Sequence, residues 1–458
     1  MKGSISMRWI VSLSFFTVSL LNAKQTFTSS EVLHYLDHKN PFVYEVYAQE
    51  YIYKEKEQYR LGEFDTKFSL KYDKKDYPTT TGEFYEASFK KPIENGMEFI
   101  VSYREADGTQ EYNNIQTGEN GEMLVGVNIP VLSLIHKTNT RKMNLELAQL
   151  ESIKYHFNSQ NKLRILYLQV LTSYYNLLYY KALVELEKKL FDRSKKREFY
   201  IAKRVKAGTV AEVTLVEAKQ QIMNRKQRLI TAKNSYEKSL TIFLQYLNTS
   251  REEFFDRYVL EDVLKTEIIH VDLERSMQEA IKNRSDLQML QYEKKKLKLQ
   301  KKNAVLLGYP NINIALYGVH DFKYNNGFKL TFNMDFPFER RKYYGKTREI
   351  DQTLQYVKNV QTKRELTIGA NLTNIVNSLE TVEKNILYAL TEVKLAQKLE
   401  KAEYIKYKSG TSNLFMLNQR EVYSLEVNKK ILKYKLDYLR LKEIFYSEIG
   451  VKRSCENI

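Results

Sequence analysis

The chain has 458 residues, of which 28% are charged, only six are proline and one is cysteine, and its formal net charge is +17. A single cysteine, Cys455 near the C-terminus, excludes a disulfide framework and a Cys–His zinc site. The basic balance does not read as a nucleic-acid grip: the lysines are spread along the chain among glutamates, and the densest run, YEKKKLKLQKKN (292–303), has the pattern of a solvated helix face.

Residues 1–23 read as a secretory leader, with Lys2 and Arg8 before the apolar run WIVSLSFFTVSLL and a small residue, Ala23, at the cut. That run is too short to span a bilayer comfortably, and no later segment approaches the roughly 18 consecutive apolar residues of a membrane helix. No cysteine near the cut is placed to take a lipid.

Two similar halves follow, 24–250 and 272–450, joined by 251–271 and ending in a tail, 451–458. Each half starts with an amphipathic helix, SSEVLHYLDHKNPF (29–42) in the first and DLERSMQEAIKNRSDL (272–287) in the second. Each then turns to strands of strict period two. In GFKLTFNMDF (327–336), Phe328, Leu330, Phe332, Met334 and Phe336 face one way, against Lys329, Thr331, Asn333 and Asp335. Phe68, Leu70 and Tyr72 alternate with Lys67, Ser69 and Lys71, and Met123, Val125, Val127 and Ile129 with Glu122, Gly126 and Asn128. Such alternation suits a membrane barrel, apolar to lipid and polar to lumen, and also a half-solvated soluble sheet. Export, the lack of membrane helices and aromatics at the strand ends favour the barrel. Segment 83–104 alternates as well, around the turn KPIENG, which leaves either four or six strands per chain.

The stretches 131–309 and 338–458 contain no proline, which suits very long helices because proline costs roughly 3 kcal/mol in a helix interior. Helices are predicted over 138–206 and 345–408, each on the order of 100 Å long, followed by shorter ones over 210–248 and 412–449. Between them lie AKRVKAGTVAEVTL (202–215) and YIKYKSGTSNLFML (404–417). Lys206, Ala207, Gly208 and Thr209 overlie Lys408, Ser409, Gly410 and Thr411. Past the turns Leu229, Tyr236 and Phe243 match Ile431, Tyr438 and Phe445, with the seven-residue spacing of a coiled-coil seam. Each glycine therefore reads as the tip of a helical hairpin.

The two-fold repeat, the NPF and SDL helix ends, the strand–proline junctions at Pro130 and Pro337, and the AGT and SGT tips together resemble the TolC-like outer membrane efflux proteins. That resemblance implies a mixed, mostly α fold: long antiparallel coiled-coil helices forming a periplasmic tunnel, and an antiparallel transmembrane β-barrel shared by three subunits. It implies a homotrimer in outer membrane lipid of a Gram-negative cell, with tips that dock a periplasmic adaptor and an inner membrane transporter that supplies the energy. The family's barrel has twelve strands; six per chain would make eighteen here. The trimer also follows from physics. Neither four nor six strands close a wide barrel, and open sheet edges in hydrocarbon would leave backbone groups unsatisfied.

The gate departs from the family, whose tip is constricted by acidic residues six and nine positions after the second glycine. Met416 and Gln419 stand there instead. Tyr407, three before Gly410, is retained, while its usual aspartate partner is replaced by Thr214. Glu217 is the nearby carboxylate able to reach the mouth, although a solvated helix face is the better reading for it.

No phosphate-binding glycine loop, HExxH or CxxC occurs, and the carboxylates are dispersed. His34 and His38 are one helical turn apart and read as surface histidines. No catalytic, cofactor or metal site is expected. The expected role is a passive exit duct for efflux or type I secretion, against the alternative of an exported coiled-coil structural protein or adhesin without a pore.

Overall fold

The computed structural model describes residues 24–451 apart from 38, 79, 109–116, 118, 119 and 263. The leader, the tail with Cys455, His38 and the side chain of His34 lie outside the described residues.

The chain opens with a three-residue strand, β1 (Gln25–Phe27), then helices α1 (Ser29–Tyr35) and α2 (Pro41–Leu61). Asn40 explains the NPF signal. Its side chain accepts the Phe42 amide at 3.0 Å and donates to the Tyr246 carbonyl at 2.8 Å, while Pro41 takes the first helical position, where no amide is needed. Strands β2 (Lys67–Tyr77), β3 (Thr80–Pro92), β4 (Glu98–Gly108) and β5 (Glu122–Pro130) follow, then α3 (Val131–His136), α4 (Thr140–Lys206) and α5 (Glu212–Leu247). A short helix α6 (Arg251–Arg257) and strand β6 (Tyr258–Leu260) lead to α7 (Leu273–Asn283) and α8 (Ser285–Leu306). Strands β7 (Asn311–Asp321) and β8 (Asn325–Asp335) and helices α9 (Arg341–Lys408) and α10 (Leu414–Glu448) complete the chain.

The long helices have 67 and 68 residues, each about 100 Å of rise. Each folds back on its shorter successor along the predicted seam: Leu229, Phe243, Ile431, Tyr438 and Phe445 are buried. No described helix is long and apolar enough to cross a membrane.

All six long strands join one antiparallel sheet, in the order β2-β3-β4-β5-β7-β8. Segment 83–104 is therefore part of it, as β3 and β4. The turn between them is closed by the Ile93 amide on the Met97 carbonyl at 2.9 Å and is tied to the start of α4 by Asn139, which donates to the Glu94 carbonyl at 2.7 Å. The register aligns the apolar residues on a single face. Phe68 opposes Phe89, Phe89 opposes Val101, Val101 opposes Val125, and Ile314 opposes Phe332. That face is bare: Phe328 is 81% exposed and Leu330 62%. The opposite face carries polar side chains, among them buried Ser88 and Ser102, and an ion pair between Arg104 and Glu122.

Among the described residues, two large hydrophobic cores and two smaller ones lie between the helices. In the first, Phe27 of β1 meets Tyr174, Phe243, Phe254 and Tyr258 edge to face at 5.1–5.7 Å between ring centroids. A parallel ladder between β1 and β6 holds it there, and Tyr174 donates to its carbonyl at 2.6 Å. In the second, Leu287 of the SDL signal packs with Ile368, Leu372, Tyr438 and Phe445. Beside it Arg284 bonds Asp286 and Glu448 at 2.8 and 2.9 Å, joining α8 to the end of α10.

Candidate functional site at the hairpin tips

The two glycine turns have the same geometry. Gly208 has φ +69° and Gly410 φ +80°, the left-handed region that L side chains avoid. A Cβ added at either would meet nothing within 4 Å, so backbone conformation and not crowding calls for glycine. The Gly208 amide donates to the Val205 carbonyl and the Thr209 amide to the Arg204 carbonyl, both at 2.9 Å. At the second tip Gly410 donates to Tyr407 at 3.3 Å and Thr411 to Lys406 at 3.0 Å. This is a Schellman cap, which satisfies the last carbonyls of each long helix. The threonines add hydroxyl bonds to the same Arg204 and Lys406 carbonyls, at 3.0 and 3.2 Å. Lys206, Ala207, Lys408 and Ser409 are exposed on the last turns.

The return helices start differently. Asn413 accepts the Met416 amide at 2.9 Å and so caps α10, while Ala211, in the same position before α5, offers no side-chain cap. Four helices meet just behind the turns in a small core of Ile201, Ala218 and Leu414, against which Tyr407, Val205 and Leu215 pack.

The candidate gate residues do not converge on one point. Tyr407 is half-buried in that small core, and among the described residues no hydrogen bond joins it to Thr214, which is also half-buried. Glu217 accepts a bond from Gln221 of its own helix at 3.2 Å. Met416 and Gln419 are exposed on α10 and line a depression of about 650 Å³ with Phe415, Tyr423 and Gln221.

Behind the tips lies a cluster that the sequence reading missed. Glu421 of α10 binds Arg225 of α5 at 2.8 Å and also pairs with Arg197 of α4. The Asn418 carbonyl oxygen accepts from both arginines, at 3.0 and 3.2 Å, and Arg225 further donates to the Leu190 carbonyl at 3.3 Å. Burial, opposed by the Glu421 carboxylate, lowers the pKa of Arg225 from the ordinary guanidinium value. The cluster therefore bolts the second hairpin onto the first. A signal existed: Arg225 precedes Leu229 by four and Glu421 precedes Ile431 by ten, so both fall on the buried seams, where a charge needs a partner. Among the described residues no group of three or more His, Cys, Asp or Glu is placed to hold a metal.

No protein-family model and no curated protein sequence matches the chain. Solved structures do. The CmeC outer membrane channel of Campylobacter jejuni is similar over 98% of this chain and 94% of its own, with a TM-score of 0.70 at 10% identity. The outer membrane protein VceC of Vibrio cholerae is similar over 92% and 96%, with a TM-score of 0.69 at 10% identity. The open state of the MtrE outer membrane channel of Neisseria gonorrhoeae is similar over 94% and 91%, with a TM-score of 0.67 at 13% identity. The chain has the fold of the TolC-like channels.

Proposed function

We propose that this chain is one subunit of a homotrimeric channel-tunnel in the outer membrane of a Gram-negative cell, a passive exit duct extending into the periplasm. The observation that carries the reading is the six-stranded sheet, whose apolar face is bare and whose edges, β2 and β8, are unpaired. Its strands have 9–13 residues, long enough to cross a bilayer at a tilt. Strands β2 and β8 run in opposite directions, so β8 of one copy can continue the antiparallel order onto β2 of the next. Three copies make an eighteen-stranded barrel, in the size range of open porins. Exposed heptad-spaced residues on the helices support the same assembly: Val216, Met223 and Ile230 of α5 are each 57–61% exposed.

An exported coiled-coil protein without a pore would have no use for a bare apolar sheet of this size. The duct reading also assigns the tips around Gly208 and Gly410 to a periplasmic adaptor, with an inner membrane transporter supplying the energy for efflux or type I secretion. The same reading takes Tyr407, Thr214, Glu217, Met416 and Gln419, all on the helices just behind the tips, as the candidate gate. The test is the mass of the detergent-solubilised protein together with its conductance in a planar bilayer. Three subunits and a stable conductance are expected; a monomer that neither assembles nor conducts refutes the reading.

A further inference from the structure

A groove of about 1070 Å³ lies above the tips, lined by the lower ends of α4 and α9 and by α10. Its charges are lopsided. Lys189, Lys196 and Arg204 of α4 and Lys401 and Lys408 of α9 are all exposed in its walls, and among the described residues none of the five pairs with a carboxylate. The two acidic residues of the lining are already engaged, Glu400 by Arg193 at 2.8 Å and Glu421 by Arg197 and Arg225. The cluster beneath the groove adds to the imbalance, since two guanidiniums share one carboxylate and leave a buried excess of one positive charge. Its Asn418 amide nitrogen is buried without a hydrogen-bond partner.

The lysines also have a period. Lys189 and Lys196 are seven residues apart on one wall, and Lys401 and Lys408 seven apart on the other. That is the spacing of the charged positions flanking a coiled-coil seam, which select a partner helix of opposite sign. The rings of Tyr404, between Lys401 and Lys408, and of Tyr200, between Lys196 and Arg204, offer the apolar contact such a helix needs.

We infer that the groove between α4 and α9 receives an acidic α-helix of the periplasmic adaptor, with carboxylates at seven-residue spacing facing these lysines. The inference rests on the channel-tunnel reading, which supplies the adaptor, and adds the sign and period of the partner's surface. Association steered by such charges weakens steeply with salt.

The experiment places a photo-crosslinking amino acid at Gln397, Lys401 or Tyr404 of the full-length protein in its own cells and sequences the adduct. The expected adduct is a helical segment of a periplasmic protein with Glu or Asp seven residues apart. Binding of that purified protein to the channel trimer should fall at least tenfold in Lys189→Glu/Lys196→Glu/Lys401→Glu and recover when its own carboxylates are changed to lysine. Lys238→Glu, on an exposed face of α5, serves as the charge control and should leave binding unchanged. An adduct lacking carboxylates, adducts with a second copy of this chain alone, no adduct at any position, or binding indifferent to the reversals overturns the proposal. Conductance of the unaltered trimer, measured alongside, tests the channel reading separately.

Discussion

Arg225 on α5 and Glu421 on α10 are 2.8 Å apart, and neither side chain is more than 5% exposed. Because the same carboxylate also holds Arg197, Glu421→Gln would leave one buried and one half-buried cation without a counter-charge. Breaking a buried pair in this way costs about 3–5 kcal/mol, whereas replacing all partners with apolar residues is often neutral. Glu421→Gln is therefore expected to loosen the lower hairpins, read as faster tryptic cleavage near the tips. Arg197→Met/Arg225→Met/Glu421→Leu should restore most of the resistance. Equal cleavage of Glu421→Gln and the unaltered protein would show that the cluster is not a bolt.

Gly126 of β5 opposes Tyr317 of β7, where, among the described residues, strands from the two halves of the chain pair. A Cβ there would overlap the Tyr317 ring and the Leu316 carbonyl, and the backbone oxygen cannot turn aside. Overpacking of this kind costs about 1–3 kcal/mol or more. Gly126→Ala should thus reduce the yield of SDS-resistant assemblies several-fold. Gly327→Ala, in β8, meets nothing within 4 Å and should not. A reversed order of the two variants would contradict the register.

At the tips the constraint is conformational. Gly410→Val should cost about 1–2 kcal/mol for holding an L-residue in the left-handed region, and Gly410→Asn less, since asparagine tolerates it. Hydrogen exchange at the Thr411 amide, bonded to the Lys406 carbonyl at 3.0 Å, reports the cap locally. Exchange should accelerate by about tenfold in the valine variant, a factor equivalent to about 1.4 kcal/mol, and less in the asparagine one. Indistinguishable variants would mean that the turn does not depend on φ.

On the channel-tunnel reading, Met416 and Gln419 stand where the TolC-like proteins that the sequence resembles carry an acidic ring. Rings of carboxylates in a narrow pore focus negative potential and bind polyvalent cations. Trimers in a planar bilayer are therefore expected to show little block, under about twofold, by a trivalent cation added at the tip side. Tight block abolished by Glu217→Gln would assign the ring to Glu217 and displace the present gate.

The tips and long helices were legible because each depends on one residue type at one place: a glycine between proline-free, heptad-patterned runs. Predicted and observed helix ends differ by four residues or fewer, as at 345 against Arg341 for α9. The apolar face of β8 was legible from strict alternation. Whether 83–104 joins the same sheet was not, because alternation states which way side chains point and not which strand lies alongside. The ladder of β1 with β6 left no trace, since three residues are too few to display a period. The seam positions of Arg225 and Glu421 mark them as buried, but their pairing with each other and with Arg197 was hidden by distance along the chain.

That ladder and the sheet have a consequence in time. On the channel-tunnel reading the chain enters the periplasm N-terminus first, so β1 emerges early, yet its partner β6 lies at Tyr258–Leu260. In the same way β5 ends at Pro130 and waits for β7, which begins at Asn311. Pairings this distant are slow, because loop closure precedes any gain in contacts. In the interval β2 to β5 present a greasy hairpin stack with a raw edge, the state most prone to aggregate. On that reading the chain is expected to lean on periplasmic chaperones for the span between the arrival of β1 and that of β7, which ends at Asp321.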